Sequence, residues 1–157
     1  MLVRPMDPAD RARVVEIAGL GDQELDVDAE LARSWARIWT AGDPVVAFLL
    51  AWAVADELHV INVATHPDHR RCGAARALLA ELLTHARANR VRLVVLEVRR
   101  SNRAALSLYR SHGFCAMGIR RGYYADNAED AIEMMLAIDP QSGQILPGRD
   151  EIALPEV

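Results

Sequence analysis

Residues 70–76 combine positive charge with small side chains, a combination that favours the binding of an anion. The segment reads Arg70, Arg71, Cys72, Gly73, Ala74, Ala75, Arg76. It opens an Ala/Leu-rich helix directly after an apolar strand, so the first amides of that helix have no intrahelical acceptor. The small residues let a phosphate approach these amides, while the helix dipole and the guanidinium groups add positive potential. The pattern therefore predicts a pyrophosphate site.

Glu97 is the best candidate for a general base. It is the one ionisable residue in the apolar stretch 93–98. Partial burial in such a strand would raise the pKa of the carboxyl toward neutral pH, where a base is most effective. Removing a proton from an α-amine acceptor requires only a weak base, since roughly a tenth of such an amine is already neutral at pH 7. The alternative interpretation is a structural carboxylate that is paired with Arg99 or Arg121.

Tyr109 is the matching candidate for a proton donor. On a helix that begins near Asn102, its phenol shares a face with Ala105 and His112. The pKa of a phenol lies about 1.5 units above that of a free thiol, so hydrogen bonding to a departing sulfur matters as much as complete proton transfer. The alternative is a core tyrosine with a satisfied hydroxyl.

Composition limits the class of protein. The 157 residues are 52% hydrophobic and 25% charged, as in a soluble globular protein of about one domain. A net charge of −4 argues against a general nucleic-acid binder and suits a basic partner. The longest apolar run, residues 45–55, is too short to span a bilayer. We therefore expect a cytoplasmic protein with no nucleic-acid or membrane partner.

The histidines do not predict a metal site, and the cysteines do not predict a nucleophile. His66 and His69 form an H-x-x-H pattern in a loop without further ligands, so we predict no metal. Cys72 and Cys115 have no activating base nearby in the sequence, so neither is expected to act as a nucleophile. Two cysteines without a C-x-x-C spacing fit a reducing compartment.

Strand and helix patterns alternate along the chain, which predicts an α/β fold with a mixed sheet. Predicted strands cover residues 2–4, 37–41, 45–55, 58–65, 92–98, 115–121 and 131–138. Predicted helices cover residues 7–20 with Asp7 as N-cap, residues 28–35, a segment that begins at Gly73, and residues 102–112. The strand 92–98 is nearly continuous in apolar residues, as expected when both faces are covered. We predict one domain over residues 1–138 and a loosely attached polar tail over residues 139–157.

Several separated motifs resemble the GNAT superfamily of acyl-CoA-dependent N-acetyltransferases. They are the R-x-x-G-x-A turn at residues 70–75, Leu96-Glu97-Val98-Arg99-Arg100-Ser101-Asn102, Ala105-Leu106-Ser107-Leu108-Tyr109, Gly113-Phe114, Arg120-Arg121-Gly122-Tyr123-Tyr124 and Glu129-Asp130-Ala131-Ile132. Together they look most like the bacterial ribosomal-protein alanine N-acetyltransferases. The resemblance covers roughly residues 39–138.

This resemblance implies a GNAT-like acyltransferase fold with a central, splayed mixed sheet flanked by helices, and acetyl-CoA as cosubstrate. In the family the 70–76 turn holds the coenzyme A pyrophosphate, and the strand before it pairs its backbone with the pantetheine arm. The implied cofactor-binding residues are Val63, Ala64, Thr65, Arg70, Arg71, Cys72, Gly73, Ala74, Ala75, Arg76 and Asn102. Asn102 also suits a helix cap. Glu97 and Tyr109 match the catalytic positions, and Tyr123 and Tyr124 match the loop that borders the acceptor.

The acceptor remains open between alternatives. The resemblance implies direct transfer to a protein N-terminus, most readily that of a ribosomal protein. A small-molecule amine is the second possibility, and a non-catalytic acyl-CoA-binding module is the third. The segment 21–30 departs from the family in being acidic and without aromatics. Its carboxylates either attract a basic residue behind the acceptor amine or form a solvated turn that leads into a capped helix.

Overall fold

The computed structural model describes residues 1–21 and 24–154. The strands are β1 (Val3–Pro5), β2 (Ala36–Ala41), β3 (Ala47–Val54), β4 (Glu57–Thr65), β5 (Leu93–Arg99), β6 (Cys115–Arg120) and β7 (Ala131–Ala137). The helices are α1 (Arg11–Gly19), α2 (Val27–Leu31), α3 (Ala74–Ala88) and α4 (Arg103–Ser111). The seven strands form a mixed sheet in the order β1-β2-β3-β4-β5-β7-β6. The predicted α/β class with a mixed sheet and flanking helices is confirmed.

One compact unit comprises Met1–Val54 and Val60–His85. Its strands β1, β2 and β3 are consecutive antiparallel neighbours. Five successive residues at the start of β3 are buried, which is the pattern of a strand covered on both faces. The core that packs α1 and α2 against this sheet consists of Val14, Ile17, Ala18, Val27, Val45, Phe48 and Leu50. Burial of these apolar side chains is what holds the two short helices in place.

The first helix begins where the sequence predicts. The carboxylate of Asp7 accepts from the backbone N–H of Ala9 at 2.9 Å, and Asp10 accepts in return from the N–H of Asp7 at 2.8 Å. This reciprocal capping box satisfies amides that the first turn leaves unpaired. Arg4 binds the Asp10 carboxylate at 2.6 Å, and its hydrogen bond lowers the pKa of Asp10. The first turn, Pro8–Asp10, is 3₁₀, and α1 follows directly.

The second helix is shorter than the prediction of residues 28–35. It ends at Leu31, and the strand β2 begins at Ala36. Ala36 pairs with Trp52 in the β2–β3 register, and the carbonyl of Trp35 accepts from the N–H of Ala53 at 2.8 Å. Residues 32–35, which local propensity alone assigns to the helix, instead form the turn that leads into β2, because pairing of β2 with β3 outweighs a weak helical preference.

The other compact unit comprises Ala55–His59 and Ala86–Val157. Its strands β5, β7 and β6 are antiparallel neighbours, with a register irregularity between Ala116 and Gly118. The prediction that β5 is covered on both faces is wrong: Val94, Leu96 and Val98 are buried, but the alternate residues are only half-buried. The less buried face carries Glu97, which needs polar partners, so this face cannot be sealed by apolar packing.

The segment 139–154 is attached to this second unit rather than loose. Ile138 and Ile145 form an antiparallel bridge, and the N–H of Leu146 donates to the carbonyl of Ala137 at 2.9 Å. Further on, Asp150 accepts from the N–H of Ala116 at 2.9 Å and pairs with Arg110. The polar composition predicted weak attachment, but backbone pairing with β7 and a partly buried carboxylate anchor the segment.

None of the helices in residues 1–21 and 24–154 has the length and apolar character that crossing a bilayer requires.

Candidate functional site

The end of β4 leads into a short, exposed turn. A 3₁₀ turn at Pro67–His69 follows the strand, and Nδ1 of His66 caps it by accepting from the N–H of Asp68 at 3.1 Å. Arg71 and Gly73 then adopt left-handed backbone conformations, with φ of 61° and 84°. Two left-handed residues in such a short segment turn the chain sharply into α3, and they leave residues 67–73 exposed.

This turn has the features of an anion site. A Cβ built on Gly73 has no heavy atom within 4 Å, so the space beside the backbone is open, and glycine is required there for its positive φ. The first amides of α3, a helix of 15 residues, lack intrahelical acceptors. Among the described residues, Arg70, Arg71 and Arg76 form no ion pair, so three positive charges around the turn are not neutralised by the protein.

The residues assigned to the pantetheine arm lie on the strand that enters this turn. Val63, Ala64 and Thr65 are the last residues of β4, and all three are half-buried. The first residues of β3 in the same unit are fully buried by contrast. The end of β4 therefore keeps part of its surface accessible, as a strand that offers its backbone to a ligand must.

Glu97 belongs to a cluster of side chains on β5, β6 and β7. Its Oε1 lies 2.8 Å from Nε of Arg120, whose Nη2 lies 3.2 Å from Oε2 of Glu133. Glu133 is directly opposite Glu97 in the β5–β7 register. The hydroxyl of Tyr123 donates to Glu97, and this hydrogen bond, together with burial and the negative charge, raises the pKa of Tyr123. The ion pair expected with Arg99 or Arg121 is instead made with Arg120.

Arg99 fixes the loop 121–130 that carries the two tyrosines. Its guanidinium lies 3.9 Å from the ring centroid of Tyr124 and 3.0 Å from the carboxylate of Asp126. Glu129 lies 3.5 Å from the same guanidinium and accepts from the N–H of Ser101 at 2.7 Å, and these contacts lower the pKa of Glu129. Tyr124 is buried, and its ring meets that of Tyr123 edge to face at 5.1 Å. These contacts anchor the loop on which the half-exposed Tyr123 lies.

Tyr109 lies on α4 with 8% of its surface exposed. Burial raises the pKa of its phenol to about 12. Its ring packs against Phe114, with 5.6 Å between centroids. The Tyr109 hydroxyl forms no hydrogen bond to another described residue, so its proton is available to a ligand. Asn102 caps the same helix by accepting from the N–H of Ala105 at 3.1 Å. Its contact with the cofactor, which the family resemblance implies, is a proposal of its own.

Most carboxylates of the acidic segment 21–30 already have structural partners. Asp26 caps α2 by accepting from the N–H of Ala29 at 3.0 Å, and Asp28 pairs with Arg11. Glu30 is buried, where it pairs with Arg33 and accepts from the indole N–H of Trp52 at 2.8 Å. These contacts weaken the hypothesis that the segment attracts a basic acceptor. Asp22 and Gln23 lie outside the described residues.

Glu133 is the residue that the sequence reasoning missed. A glutamate within the apolar run 131–137 carries the same signal that drew attention to Glu97, an ionisable side chain on a strand beside the core. The cysteines are free, with Cys72 exposed in the turn. Within residues 1–21 and 24–154, no three His, Cys, Asp or Glu side chains are grouped as a metal site would require.

A family model described as the acetyltransferase (GNAT) family matches residues 8–114, more than half of the chain. The chain belongs to the GNAT family. This GNAT protein is 44% identical over 101 residues to the ribosomal protein bS18-alanine N-acetyltransferase of Escherichia coli (strain K12), across 63% of this chain and 68% of the relative. It is 47% identical over 78 residues to the N-alpha-acetyltransferase RimI of Mycobacterium tuberculosis (strain ATCC 25618 / H37Rv), across 50% and 46% of the two chains.

Solved structures agree with the GNAT assignment. The crystal structure of the ribosomal-protein-S18-alanine N-acetyltransferase from Escherichia coli has a TM-score of 0.79 at 31% identity, across 87% of this chain and 92% of that one. A structure of Arabidopsis thaliana NAA60 in complex with a bisubstrate analogue also has a TM-score of 0.79, but at 19% identity it supports the fold alone. The GNAT fold and N-acetyltransferase activity predicted from the motifs are confirmed.

Proposed function

We propose that this GNAT enzyme acetylates the N-terminal α-amine of a ribosomal protein that begins with alanine, with acetyl-CoA as donor. The observation that carries the proposal is the 44% identity to an enzyme named for the alanine N-terminus of ribosomal protein bS18. Such an acceptor places the reaction in the cytoplasm, where free cysteines such as Cys72 and Cys115 stay reduced. The catalytic domain is proposed to cover residues 1–138.

The turn at 70–76 is the proposed binding site for the pyrophosphate of acetyl-CoA. Gly73 leaves open space beside the backbone, and the three arginines close to it in sequence form no ion pair with another described residue. The first amides of α3 donate to phosphate oxygens without losing an existing bond. Residues Val63, Ala64 and Thr65 hold the pantetheine amides through the β4 backbone. Acetyl-CoA supplies an activated thioester carbonyl, and the remaining chemistry belongs to this chain's own residues.

Glu97 is the proposed general base. The acceptor amine reacts only when it is neutral, and an α-amine with a pKa of about 8 needs to lose its proton to a nearby group. Glu97 lies on the less buried face of β5, where its Oε1 pairs with Nε of Arg120 at 2.8 Å and about a quarter of its side chain is exposed. It takes the proton directly or through one water molecule.

Tyr109 is the proposed hydrogen-bond donor to the departing sulfur. With a pKa of about 12 its phenol keeps the proton at any physiological pH. That pKa lies about 3.5 pH units above the value of a free thiol, so complete transfer of the proton to a thiolate is uphill by about 5 kcal/mol. Tyr109 therefore stabilises the developing negative charge by hydrogen bonding, and solvent completes the protonation.

The test is thiol release from acetyl-CoA in the presence of matched acceptors. One peptide has a free N-terminal alanine, a second is the same peptide blocked at its N-terminus and carrying a lysine, and the third acceptor is a polyamine. We expect turnover with the free alanine peptide alone. Glu97→Gln is expected to lower kcat by about 100-fold or more, and Tyr109→Phe by about tenfold, because the first removes a base and the second a single hydrogen bond.

Two results would contradict the proposal. Turnover on the polyamine alone would retain the fold and discard the protein acceptor. Binding of acetyl-CoA without turnover on any of the three acceptors would discard catalysis. Glu151→Gln is the matched control for Glu97→Gln, because it removes one exposed carboxylate of the tail with no side-chain partner among the described residues.

A further inference from the structure

Two carboxylates face each other across the β5–β7 pair in the second unit. Glu97 and Glu133 are directly opposite in the register. Like charges in that position destabilise a sheet, so the pair needs a cation. Arg120 supplies it from β6, reaching past Gly118, which has no side chain to obstruct it. About a quarter of each carboxylate side chain and half of the Arg120 side chain are exposed, so the cluster is open to a solute.

Arg120 divides its guanidinium between the two carboxylates. Nε approaches Glu97 at 2.8 Å, whereas Nη2 approaches Glu133 at 3.2 Å. An arginine with one carboxylate partner favours two parallel bonds that occupy both oxygens. Because Glu133 takes Nη2, the donor that shares an edge with Nε, the two-bond arrangement on that edge is divided between the two carboxylates and Glu97 meets Nε. Even with the Tyr123 hydroxyl as a second donor, Glu97 retains lone pairs for a further one.

The charge of the cluster follows from the same three side chains. Two carboxylates and one guanidinium carry a net charge of about −1 at neutral pH. Without Glu133, the pair of Glu97 and Arg120 would be neutral. A protonated acceptor amine would then compete with the Arg120 guanidinium for Glu97. The neutral pair would also have no excess negative charge to attract the amine.

We propose that Glu133 is a positioning residue for the acetyl transfer: it holds Arg120 partly away from Glu97, so that the base remains open to the cationic acceptor. The inference rests on the proposed function, in which Glu97 is the base. It assigns Glu133 no contact with either substrate, because its effect is transmitted through Arg120.

Glu133→Gln tests the inference directly, since it keeps the side-chain shape and removes the charge. Arg120 then closes onto Glu97 in the two-bond arrangement. We expect the KM for the alanine peptide to rise about fivefold, as for loss of a partly exposed charge at a binding surface. The KM for acetyl-CoA is expected to stay unchanged, and kcat to fall less than the acceptor KM rises. Glu151→Gln is again the control for removal of one negative charge.

The double variant Arg120→Met/Glu133→Gln separates positioning from a structural role. The double variant removes the positive charge of Arg120 and the negative charge of Glu133 together. The net charge of the cluster therefore stays at about −1, as in the wild type. We expect the acceptor KM to return to within about twofold of the wild-type value, the non-additivity that defines coupled residues. A merely structural Glu133 would give a double variant at least as impaired as the single one.

The outcomes are distinguishable from failure of the proposed function. If the wild type does not acetylate the alanine peptide, the function itself is wrong. If the wild type does so and Glu133→Gln leaves the acceptor KM unchanged, or if Arg120→Met does not relieve its defect, the inference about Glu133 is overturned. Thermal unfolding of each variant is measured in parallel, and should the single variant fail to fold, the double variant still tests whether Glu97 works without Arg120 and Glu133.

Discussion

Tyr109 is protonated throughout the usual assay range, because burial raises the pKa of its phenol to about 12. A basic limb in the pH profile below about pH 10 therefore belongs to another group. Burial alone accounts for the shift, so the same environment that excludes water from the ring keeps the proton on the oxygen. The sequence indicates a proton donor at this position, but it carries no information on how far desolvation moves the pKa.

The raised pKa of Tyr109 predicts a loss of stability at high pH. Between about pH 10 and pH 12 the folded protein retains a proton that the unfolded chain releases, so the free energy of unfolding decreases as the pH rises. The full decrease from this group is about 3 kcal/mol. Tyr109→Phe lacks that proton and is expected to show a shallower slope in denaturant unfolding at about pH 9, 10 and 11. Equal slopes for wild type and Tyr109→Phe would refute the prediction.

Charged residues on strands were only partly predictable. Glu97 and Glu133 each interrupt an apolar strand, but only Glu97 also matches a catalytic position of the family motifs. The sequence does not show which arginine lies between Glu97 and Glu133, because four arginines lie near the ends of β5 and β6: Arg99, Arg100, Arg120 and Arg121. Only the register of β5, β7 and β6 selects Arg120.

At the scale of elements, α4 depends on its cap. Asn102 satisfies the N–H of Ala105, one of the amides that a helix start leaves unpaired. Asn102→Ala is expected to lower the free energy of unfolding by about 1 kcal/mol, while Asn102→Asp, a comparable cap, keeps it within a few tenths. Denaturant unfolding checks this, and equal stability of the alanine and aspartate variants would contradict it.

The same pair of variants addresses the second role of Asn102. If its amide also contacts the cofactor, the aspartate variant loses a donor and adds a negative charge at that contact. A raised KM for acetyl-CoA in a fully stable Asn102→Asp protein would then indicate that contact. An unchanged KM would leave Asn102 with the cap alone.

The predicted ends of helices agree with the structure where a capping residue or a glycine marks them. They differ where strand pairing in the sheet decides the boundary. Asp7, Asn102 and Gly113 mark helix ends that agree with the prediction within a residue or two. The helix α2 is overestimated because residues 32–35 turn the chain into β2, whose pairing with β3 is a contact distant in sequence that no local pattern encodes.

At the scale of the whole molecule, the segment 139–154 contributes to stability through Asp150. Burial opposes ionisation of its carboxyl, but Arg110 and the Ala116 amide outweigh burial and hold its pKa below the usual value. Asp150→Ala is expected to cost about 1 kcal/mol of unfolding free energy, since a partly exposed pair and one backbone hydrogen bond are lost. Because the pKa is lowered in the folded state, this stabilisation is present at neutral pH and is lost as the pH falls through the folded pKa.

Denaturant unfolding at neutral and acidic pH measures the Asp150 contribution. The wild type and Asp150→Ala are expected to converge in stability at low pH. Glu151→Ala at the neighbouring position serves as control. A constant difference between wild type and Asp150→Ala at every pH would show that the effect comes from packing rather than from the charge.

Composition also bears on how activity is measured. All 18 Lys and Arg residues of the sequence are arginine, so these 157 residues offer no lysine amine to acetyl-CoA. Thiol release in the presence of an added amine therefore contains no contribution from lysine self-acetylation. This property was readable from the sequence, whereas the attachment of the tail was not, because it depends on backbone pairing with β7.

The anchoring of loop 121–130 by Arg99 has a consequence for selectivity. A mobile loop would lose conformational entropy each time it closed on an acceptor, and it would also reshape itself around many acceptors. Here the ion pairs of Arg99 and the stacked Tyr124 preorganise the loop in the free protein. For the acceptor contact that the family resemblance implies for Tyr123 and Tyr124, we therefore expect a correct acceptor to meet little ordering cost and a poorly matched one to meet a surface that cannot adapt to it. Rigidity at this loop would then disfavour promiscuous binding.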